Sequence, residues 1–122
     1  MIVFGAGAVG LLTAVMAQLC GATNVLIADI DTGRVQYALK HNFAAKGYVV
    51  SVPGHGNCTE EKIRAAQYIA DEVLHTTFAS STMGIDEAMS DPPLGADVVF
   101  DCTGKEICVQ AGLFVCGSRE DW

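Results

Sequence analysis

The feature that most constrains this sequence is a glycine-rich turn set between two short apolar segments at its start. Residues 1–4 combine β-branched and aromatic side chains, which is typical of a buried strand. An apolar helical pattern runs over about 8–20, and a second apolar run at 25–28 ends at Asp29. Between the first strand and the helix, three glycines follow the spacing G-x-G-x-x-G: Gly5, Gly7 and Gly10. This order predicts a βαβ unit with a phosphate-binding turn.

Each glycine has a separate physical role in such a turn. Gly5 permits the tight turn out of the strand, where a Cβ would be strained. Gly7 lets the backbone approach a pyrophosphate, and Gly10 lets the helix pack closely on the strand. The free N–H groups and the positive end of the helix dipole favour an anion without a basic side chain. The sequence therefore predicts a dinucleotide-binding turn rather than a glycine-rich turn without a ligand.

An acidic residue follows at the distance expected for ribose recognition. Asp29 lies 19 positions after Gly10, close to the spacing of about 20 at which a carboxylate accepts hydrogen bonds from a ribose diol. The 2′-phosphate of NADP would meet this carboxylate as a like charge, so NAD is the predicted cofactor. Arg34 could lie over the adenine beside Asp29, or it could be a solvated arginine on an exposed helical turn.

Composition narrows the classes of protein further. The chain has 122 residues, a single-domain length, and a formal charge of −7, which argues against binding to nucleic acid or to an anionic membrane. The first 28 residues are uncharged but lack a basic segment and are interrupted by glycines, so a buried βαβ unit is favoured over a signal peptide or membrane span. Five cysteines include no C-x-x-C pair. We expect a cytoplasmic protein. We expect no metal site, because His55 and Cys58 have no second ligand pair nearby.

The rest of the chain predicts an α/β fold of the Rossmann type. Its parallel sheet is expected to have about four strands in the order 3-2-1-4, with helices on both faces and a fifth strand as a candidate. We expect one partial NAD-binding domain over 1–122. Its later elements are predicted as a helix from about 32, a strand at 48–50, a helix over 59–75, an irregular excursion at 76–96, a strand at 97–101, a helix at 106–111, a candidate strand at 113–116 and an atypical tail at 114–122.

Three small residues after the fourth strand are the other candidates for a ligand site. In an open parallel sheet, ligands bind outside the carboxyl ends of the strands where the strand order reverses. Cys102, Thr103 and Gly104 are therefore predicted to face this crevice, and a simple turn into the next helix is the less favoured alternative. Asp101 could make a polar contact there or cap that helix.

Three segments resemble the cofactor domain of the zinc-dependent medium-chain alcohol dehydrogenases. They are VFGAGAVGLL, VLIADIDTGR and GADVVFDCTGKEICVQAG, and the last resembles the sorbitol and xylitol (polyol) dehydrogenase branch most narrowly. The resemblance implies NAD-dependent oxidation of a secondary alcohol to a ketone with a catalytic zinc. It also implies three sets of contacts: Gly5, Gly7, Ala8, Val9 and Gly10 at the pyrophosphate, Asp29 and Arg34 at the adenosine, and Cys102 and Thr103 beside the nicotinamide half.

The resemblance also implies parts that this sequence does not contain. The zinc ligands of the family come mainly from an upstream domain, and its last strands, which form the interface of homo-oligomers, have no counterpart after about residue 113. We therefore expect a truncated piece with no catalytic residues of its own, which binds NAD weakly or not at all and does not turn over substrate. A regulatory NAD-sensing module and an inactive remnant are the alternatives.

Overall fold

Four short parallel strands form one sheet in the order β3-β2-β1-β4. The computed structural model describes residues 1–51, 58–78 and 95–116. Strands and helices alternate along this part of the chain, as β1 (Ile2–Phe4), α1 (Ala8–Leu19), β2 (Leu26–Asp29), α2 (Thr32–Lys40), β3 (Lys46–Val49), α3 (Thr59–Phe78), β4 (Val99–Asp101) and α4 (Glu106–Cys116). The predicted Rossmann-like α/β class and the strand order 3-2-1-4 are confirmed.

The strand β1 lies at the centre of the sheet and sets the position of both its neighbours. Ile2 is paired with Leu26 of β2 on one side and with Val99 of β4 on the other. All three residues of β1 are buried, as expected for a parallel strand covered on both faces. The strand order reverses on either side of β1, so the crevice that binds ligands in such sheets lies at its carboxyl end.

Helices cover both faces of the sheet, as the sequence predicts. Side chains alternate along β1, so Ile2 and Phe4 face α3 and α4 whereas Val3 faces α1 and α2. The first core contains the buried stripe of α3, made of Ala66, Ile69, Ala70, Val73 and Leu74, together with Ala111 and Val115 of α4. The second core includes Ala14 of α1 and Ala38 of α2.

Several elements begin or end at residues other than those predicted. The strand β4 begins at Val99 rather than at residue 97, and α4 ends at Cys116 rather than at residue 111. The strand β3 begins at Lys46, because the backbone N–H groups of Ala45 and Lys46 donate to the carbonyl of Val25 at 3.0 and 3.2 Å. The helix α3 continues to Phe78 rather than ending at residue 75, since Thr77 is buried and its hydroxyl donates to the carbonyl of Val73. The first three residues of the predicted 76–96 excursion are therefore helical, and residues 79–94 lie outside the described residues.

The candidate fifth strand at 113–116 is wrong, because these residues form the second half of α4. The buried residues of this helix are Ala111, Gly112 and Val115, which is helical rather than alternating spacing. The helix also lies close to the sheet, since a Cβ on Gly112 would be 3.2 Å from Cγ1 of Val99. A short apolar run does not by itself distinguish a strand from a buried helix. Residues 117–122 of the predicted tail lie outside the described residues.

This correction can be tested by two alanine substitutions in α4. In a strand, residues 113 and 115 would face the same side, but in the helix Val115 is fully buried and Leu113 is 69% exposed. We expect Val115→Ala to lower the free energy of unfolding by about 2 kcal/mol and Leu113→Ala to change it by less than about 0.5 kcal/mol. Urea denaturation followed by circular dichroism measures both, and equal losses would contradict the helical assignment.

The helix α1 is apolar on its outer face as well as on its inner face. Four of its large side chains are more than half exposed, namely Val9, Leu12, Met16 and Leu19. The helix has 12 residues, and none of the helices in the described residues has both the length and the hydrophobicity needed to cross a membrane.

Candidate functional site

The turn between β1 and α1 has a conformation that only glycine adopts easily. Gly5 has φ +103°, and its N–H donates to the carbonyl of Ala28 at 2.7 Å. A Cβ at Gly5 would lie 3.1 Å from the carbonyl oxygen of Cys102 and 3.2 Å from Cγ2 of Thr103. The chain leaving β1 therefore lies directly against the residues that follow β4.

Gly10 lets α1 come into direct contact with the turn. A Cβ on Gly10 would lie 1.7 Å from the carbonyl oxygen of Gly5 and 2.7 Å from its carbonyl carbon. Gly10 is the third residue of α1 and is buried, and it does not line the cavity described below. In this structure Gly10 brings helix and strand together, as the sequence predicts for the third glycine.

Gly7 stands at the open side of the same turn. It is the N-cap of α1, with φ −80°, and no side chain caps the helix. A Cβ at this position would meet no atom within 4 Å in the described residues. Ala8 and Val9 begin the helix and are exposed, and the first N–H groups of a helix have no partner within it. This end of α1 has the open backbone donors that an anion requires.

The carboxylate of Asp29 lies next to this turn and is almost completely buried. Its Oδ2 accepts a hydrogen bond from the N–H of Ala6 at 2.8 Å, and its Oδ1 accepts one from the N–H of Asp31 at 2.9 Å. Nη1 of Arg34 lies 4.0 Å from Oδ2, and the Arg34 side chain is 61% exposed against 8% for Asp29. A carboxylate has about four acceptor sites, so Asp29 retains capacity for a ligand hydroxyl.

The segment after β4 is held by a short chain of hydrogen bonds. Oδ1 of Asp101 accepts from the N–H and the hydroxyl of Thr103 at 3.0 and 2.6 Å, and the Thr103 hydroxyl oxygen accepts from the N–H of Lys105 at 3.0 Å. Asp101 therefore makes a polar contact within the loop. The N–H of Cys102 donates to the carbonyl of Phe4 at 2.8 Å, which joins this loop to β1.

These segments surround one cavity of about 700 Å³ at the carboxyl end of the sheet. Six of the nine predicted site residues line it: Gly5, Gly7, Asp29, Arg34, Cys102 and Thr103. Ala8, Val9 and Gly10 do not. Its size falls within the range of about 300–1,000 Å³ that is usual for small-molecule sites. The topology thus brings together three segments that are up to about a hundred residues apart in the sequence.

Several residues that line the cavity were not predicted from the sequence. Lys62 of α3 and Lys105 lie at its walls, and Nζ of Lys62 is 3.6 Å from Oε2 of Glu106. Among the described residues, three of the six Lys and Arg residues line the cavity, but only two of the nine Asp and Glu residues do. A chain of net charge −7 therefore collects positive charge around this one cavity, which favours an anionic ligand.

Gln110 of α4 also lines the cavity and carries a buried acceptor. Its Nε2 donates to Oε1 of Glu106 at 3.1 Å, which fixes the orientation of the amide because a carboxylate only accepts. The side-chain oxygen Oε1 of Gln110 is buried and accepts no hydrogen bond from any of the described residues. A helical pattern could have placed Gln110 on the same face as Glu106, but only the fold shows that this face borders the cavity.

Cys108 contributes a protonated thiol to the cavity wall. Burial raises the pKa of the Cys108 thiol above its ordinary value. A hydrogen bond with Thr103 and the charge of Lys105 oppose this effect on the pKa, whereas the carboxylates of Asp101 and Asp29 add to it. The thiol is therefore a neutral packing group at pH 7 and not an activated nucleophile.

The raised pKa of Cys108 predicts a pH dependence of stability. Because this pKa is higher in the folded than in the unfolded state, the contribution is complete below about pH 8.5 and is lost as the pH rises through the folded-state value. We expect Cys108→Ala to lose less stability than the unmodified protein between pH 7 and pH 10 in urea denaturation. Cys58→Ala, at an exposed cysteine, is the matched control and should follow the unmodified protein. Parallel curves for all three proteins would contradict the prediction.

Metal-ligating side chains do not converge in the part of the chain that the structure describes. No group of three or more His, Cys, Asp or Glu residues within 1–51, 58–78 and 95–116 is arranged to hold a metal ion. His55, weighed as a ligand beside Cys58, lies outside the described residues.

Comparison with known proteins finds relatives among the sorbitol dehydrogenases and the D-xylulose reductases. The chain is 32% identical over 113 residues to sorbitol dehydrogenase 1 and 33% identical over 117 residues to D-xylulose reductase, both of Saccharomyces cerevisiae. It is 32% identical over 115 residues to D-xylulose reductase A of Aspergillus niger. These alignments cover 93–94% of this chain and 25% of each relative. No protein-family model and no solved structure matches the chain.

These relatives agree with the resemblance of the three segments. The alignments include almost all of this chain. The chain spans about a quarter of the length of the curated relatives it matches. On this evidence the chain is similar over almost its whole length to sorbitol dehydrogenases and D-xylulose reductases, which supports the resemblance to the polyol dehydrogenase branch.

Proposed function

We propose that this chain is the NAD-binding region of a polyol dehydrogenase that oxidises a secondary alcohol to a ketone. The observation that carries the proposal is the single cavity in which the open turn at Gly7, the carboxylate of Asp29 and the loop after β4 meet. This is the position at which an open parallel sheet binds a dinucleotide. The relatives, which are named as sorbitol dehydrogenases and D-xylulose reductases, support the reaction class.

The pyrophosphate fits the amino end of α1. Gly7 leaves open space where a side chain would otherwise stand, and the helix has no side-chain cap that would compete for its first N–H groups. Ala8 and Val9 would donate from the first turn, while Gly10 holds the helix against Gly5. Arg34, Lys62 and Lys105 add positive charge around the cavity.

The adenosine fits the side of the cavity formed by the ends of β2 and β3. Asp29 would accept hydrogen bonds from the ribose diol with the acceptor sites that the backbone does not use. Ile30 and Val50 give this part of the cavity apolar walls, which suit the faces of a purine. Arg34 extends from α2 beside Asp29 and could cover the base.

The nicotinamide half fits the loop after β4. Cys102 and Thr103 line the cavity on the side of β1 opposite to Asp29, so a dinucleotide whose pyrophosphate lies at Gly7 would reach them with its second nucleoside. NAD would supply the hydride acceptor when bound. The alcohol-binding part and any zinc ligands would come from outside this quarter of the enzyme, so the 122-residue chain should not turn over a polyol. Of the two outcomes that the sequence leaves open for the cofactor, weak binding is the one that this cavity supports.

The proposal can be tested by titrating the purified chain with NADH and NADPH and following the nicotinamide fluorescence. We expect NADPH to bind at least about tenfold more weakly, equivalent to about 1.4 kcal/mol, because its 2′-phosphate would approach the buried carboxylate of Asp29. Equal affinity for the two cofactors would contradict the assignment of Asp29 to the ribose. The absence of NADH binding would contradict the proposed cofactor site.

The reaction class needs a separate experiment with a complete enzyme. The chain would replace the matching 113-residue region of sorbitol dehydrogenase 1 of Saccharomyces cerevisiae, and the chimera would be assayed with sorbitol and xylitol. We expect NAD-dependent oxidation of at least one of the two polyols. A chimera that folds and binds NADH but oxidises neither would support the alternative of a binding module without catalysis.

A further inference from the structure

We propose that Asp29 is a positioning residue that sets the shape of the phosphate-binding turn, in addition to any contact with a ribose. This inference rests on the proposed function, because it concerns the same dinucleotide site. It differs from the ribose contact in where Asp29 acts. Through its hydrogen bond to the backbone of Ala6, Asp29 would hold the turn that binds the pyrophosphate. The ribose contact alone would affect only ligands that carry the diol.

The contact that supports this role joins two segments 23 residues apart. The N–H of Ala6 donates to Oδ2 of Asp29 at 2.8 Å, and both residues are buried, with exposures of 3% and 9%. Ala6 lies between Gly5 and Gly7, at the centre of the turn. A buried N–H without a partner is costly, so the carboxylate stabilises this backbone conformation over alternatives that point the N–H elsewhere.

The second oxygen of the same carboxylate is held as well. Oδ1 accepts from the N–H of Asp31 at 2.9 Å, which fixes the side chain at the end of β2. Asp29 therefore joins the start of α2 to the turn that precedes α1. With both oxygens held, the carboxylate has little rotational freedom, and the N–H of Ala6 has little as well. The direction of the adjoining peptide at Gly7 follows from that of Ala6.

An asparagine cannot reproduce both contacts. Its side chain has one acceptor oxygen and one NH₂ donor, so one of the two backbone N–H groups would face a donor. The bond to Asp31 is local, two residues along the chain, whereas the bond to Ala6 spans the turn. We expect Asp29→Asn to keep the local bond and to release Ala6.

Simple electrostatics predicts the opposite result from the positioning role. Asp29→Asn removes a negative charge from a site for a diphosphate, which by itself should strengthen binding. If Asp29 instead positions the turn, the same substitution should weaken binding, even of a diphosphate that has no diol. The sign of the change therefore separates the two effects.

The first test measures ADP and 2′,3′-dideoxy-ADP by isothermal titration calorimetry with the full chain. We expect Asp29→Asn to weaken 2′,3′-dideoxy-ADP at least fivefold. Asp31→Asn is the matched control, because it removes the same charge two residues away and asparagine is an equally good N-cap for α2. It should leave the affinity unchanged or raise it. If Asp29→Asn binds 2′,3′-dideoxy-ADP as tightly as the unmodified chain or more tightly, the proposal is wrong.

The second test needs no ligand and follows the amide of Ala6 by NMR. In the unmodified chain we expect a coupling across the hydrogen bond between the Ala6 nitrogen and the Asp29 carboxyl carbon, with slow hydrogen exchange at Ala6. Asp29→Asn should speed that exchange at least tenfold while the amide of Leu26 in the sheet stays protected. A missing coupling in the unmodified chain overturns the proposal even if the variant fails to fold. If ADP and NADH bind to neither protein, the proposed function fails, and the Ala6 amide still decides whether Asp29 sets the turn.

Discussion

Replacing Gly10 with alanine is expected to disrupt the first βαβ unit. The new Cβ would stand 1.7 Å from the carbonyl oxygen of Gly5, far inside any contact distance. Both atoms belong to the backbone or are fixed to it, so no side-chain rotation relieves the overlap. Either α1 must move away from β1 or the turn at Gly5 must change. Because Val3, Ala14 and their neighbours form one of the two cores, such a movement also opens the packing of α1 on the sheet.

We expect Gly10→Ala to lower the free energy of unfolding by about 3 kcal/mol or more, at the upper end for inserting a methyl group into a packed site. Thermal and urea denaturation followed by circular dichroism measure this loss. The matched control is the same substitution at Gly7, three residues earlier, where the methyl group meets nothing within 4 Å in the described residues. A Gly10→Ala protein as stable as the unmodified chain would show that α1 does not lie against Gly5.

The glycine turn and its acidic partner could be predicted from the sequence because their physical requirements are local. The spacing of Gly5, Gly7 and Gly10 within one strand–helix unit determines which glycine meets the strand and which faces outward. In the structure Gly5 has a positive φ, Gly7 faces open space and Gly10 makes a close backbone contact. Asp29 follows at the end of the next strand, and parallel pairing of β1 with β2 brings it beside the turn.

The wall of the cavity opposite Asp29 could not be predicted in the same way. Lys62 and Gln110 belong to helical stripes whose polar faces look solvated in the sequence, and only the packing of α3 on α4 directs them to the cavity. The charge asymmetry around the site depends on this arrangement and is not visible in the net charge. The position of Lys62 and Gln110 depends on how the whole sheet and its helices pack, whereas the glycine motif with its acidic residue depends on about thirty consecutive residues.

The end of α4 was mispredicted for a different reason. The run at 113–116 is apolar and contains one β-branched residue, Val115, and the four residues contain too little periodicity to distinguish the two structures. The helix is favoured because Val115 continues the buried face begun by Ala111 and Gly112. Packing against Val99 of β4 and against α3 therefore decides the structure of this segment.

The second large effect is expected for Gly7→Ala, and it concerns binding rather than folding. Gly7 has φ −80° and an extended ψ of −172°, a conformation that alanine adopts without strain. The loss of a glycine at the N-cap costs a few tenths of a kcal/mol, which the lower entropy of the unfolded chain offsets. We therefore expect the free energy of unfolding to stay within about 1 kcal/mol of that of the unmodified chain.

The same methyl group would occupy the space through which a pyrophosphate approaches the first N–H groups of α1. We expect the affinity for NADH and ADP to fall at least about 30-fold, equivalent to about 2 kcal/mol, because the phosphate oxygens could no longer reach hydrogen-bonding distance of the backbone. Fluorescence titration with NADH and calorimetry with ADP measure the loss. If Gly7→Ala binds both ligands with an affinity within threefold of that of the unmodified chain, the phosphates do not lie at this turn. Phosphates bound there need the space that the alanine methyl group would fill. A stable Gly7→Ala protein without binding, beside an unstable Gly10→Ala protein, would separate the glycine that meets the ligand from the glycine that meets the strand.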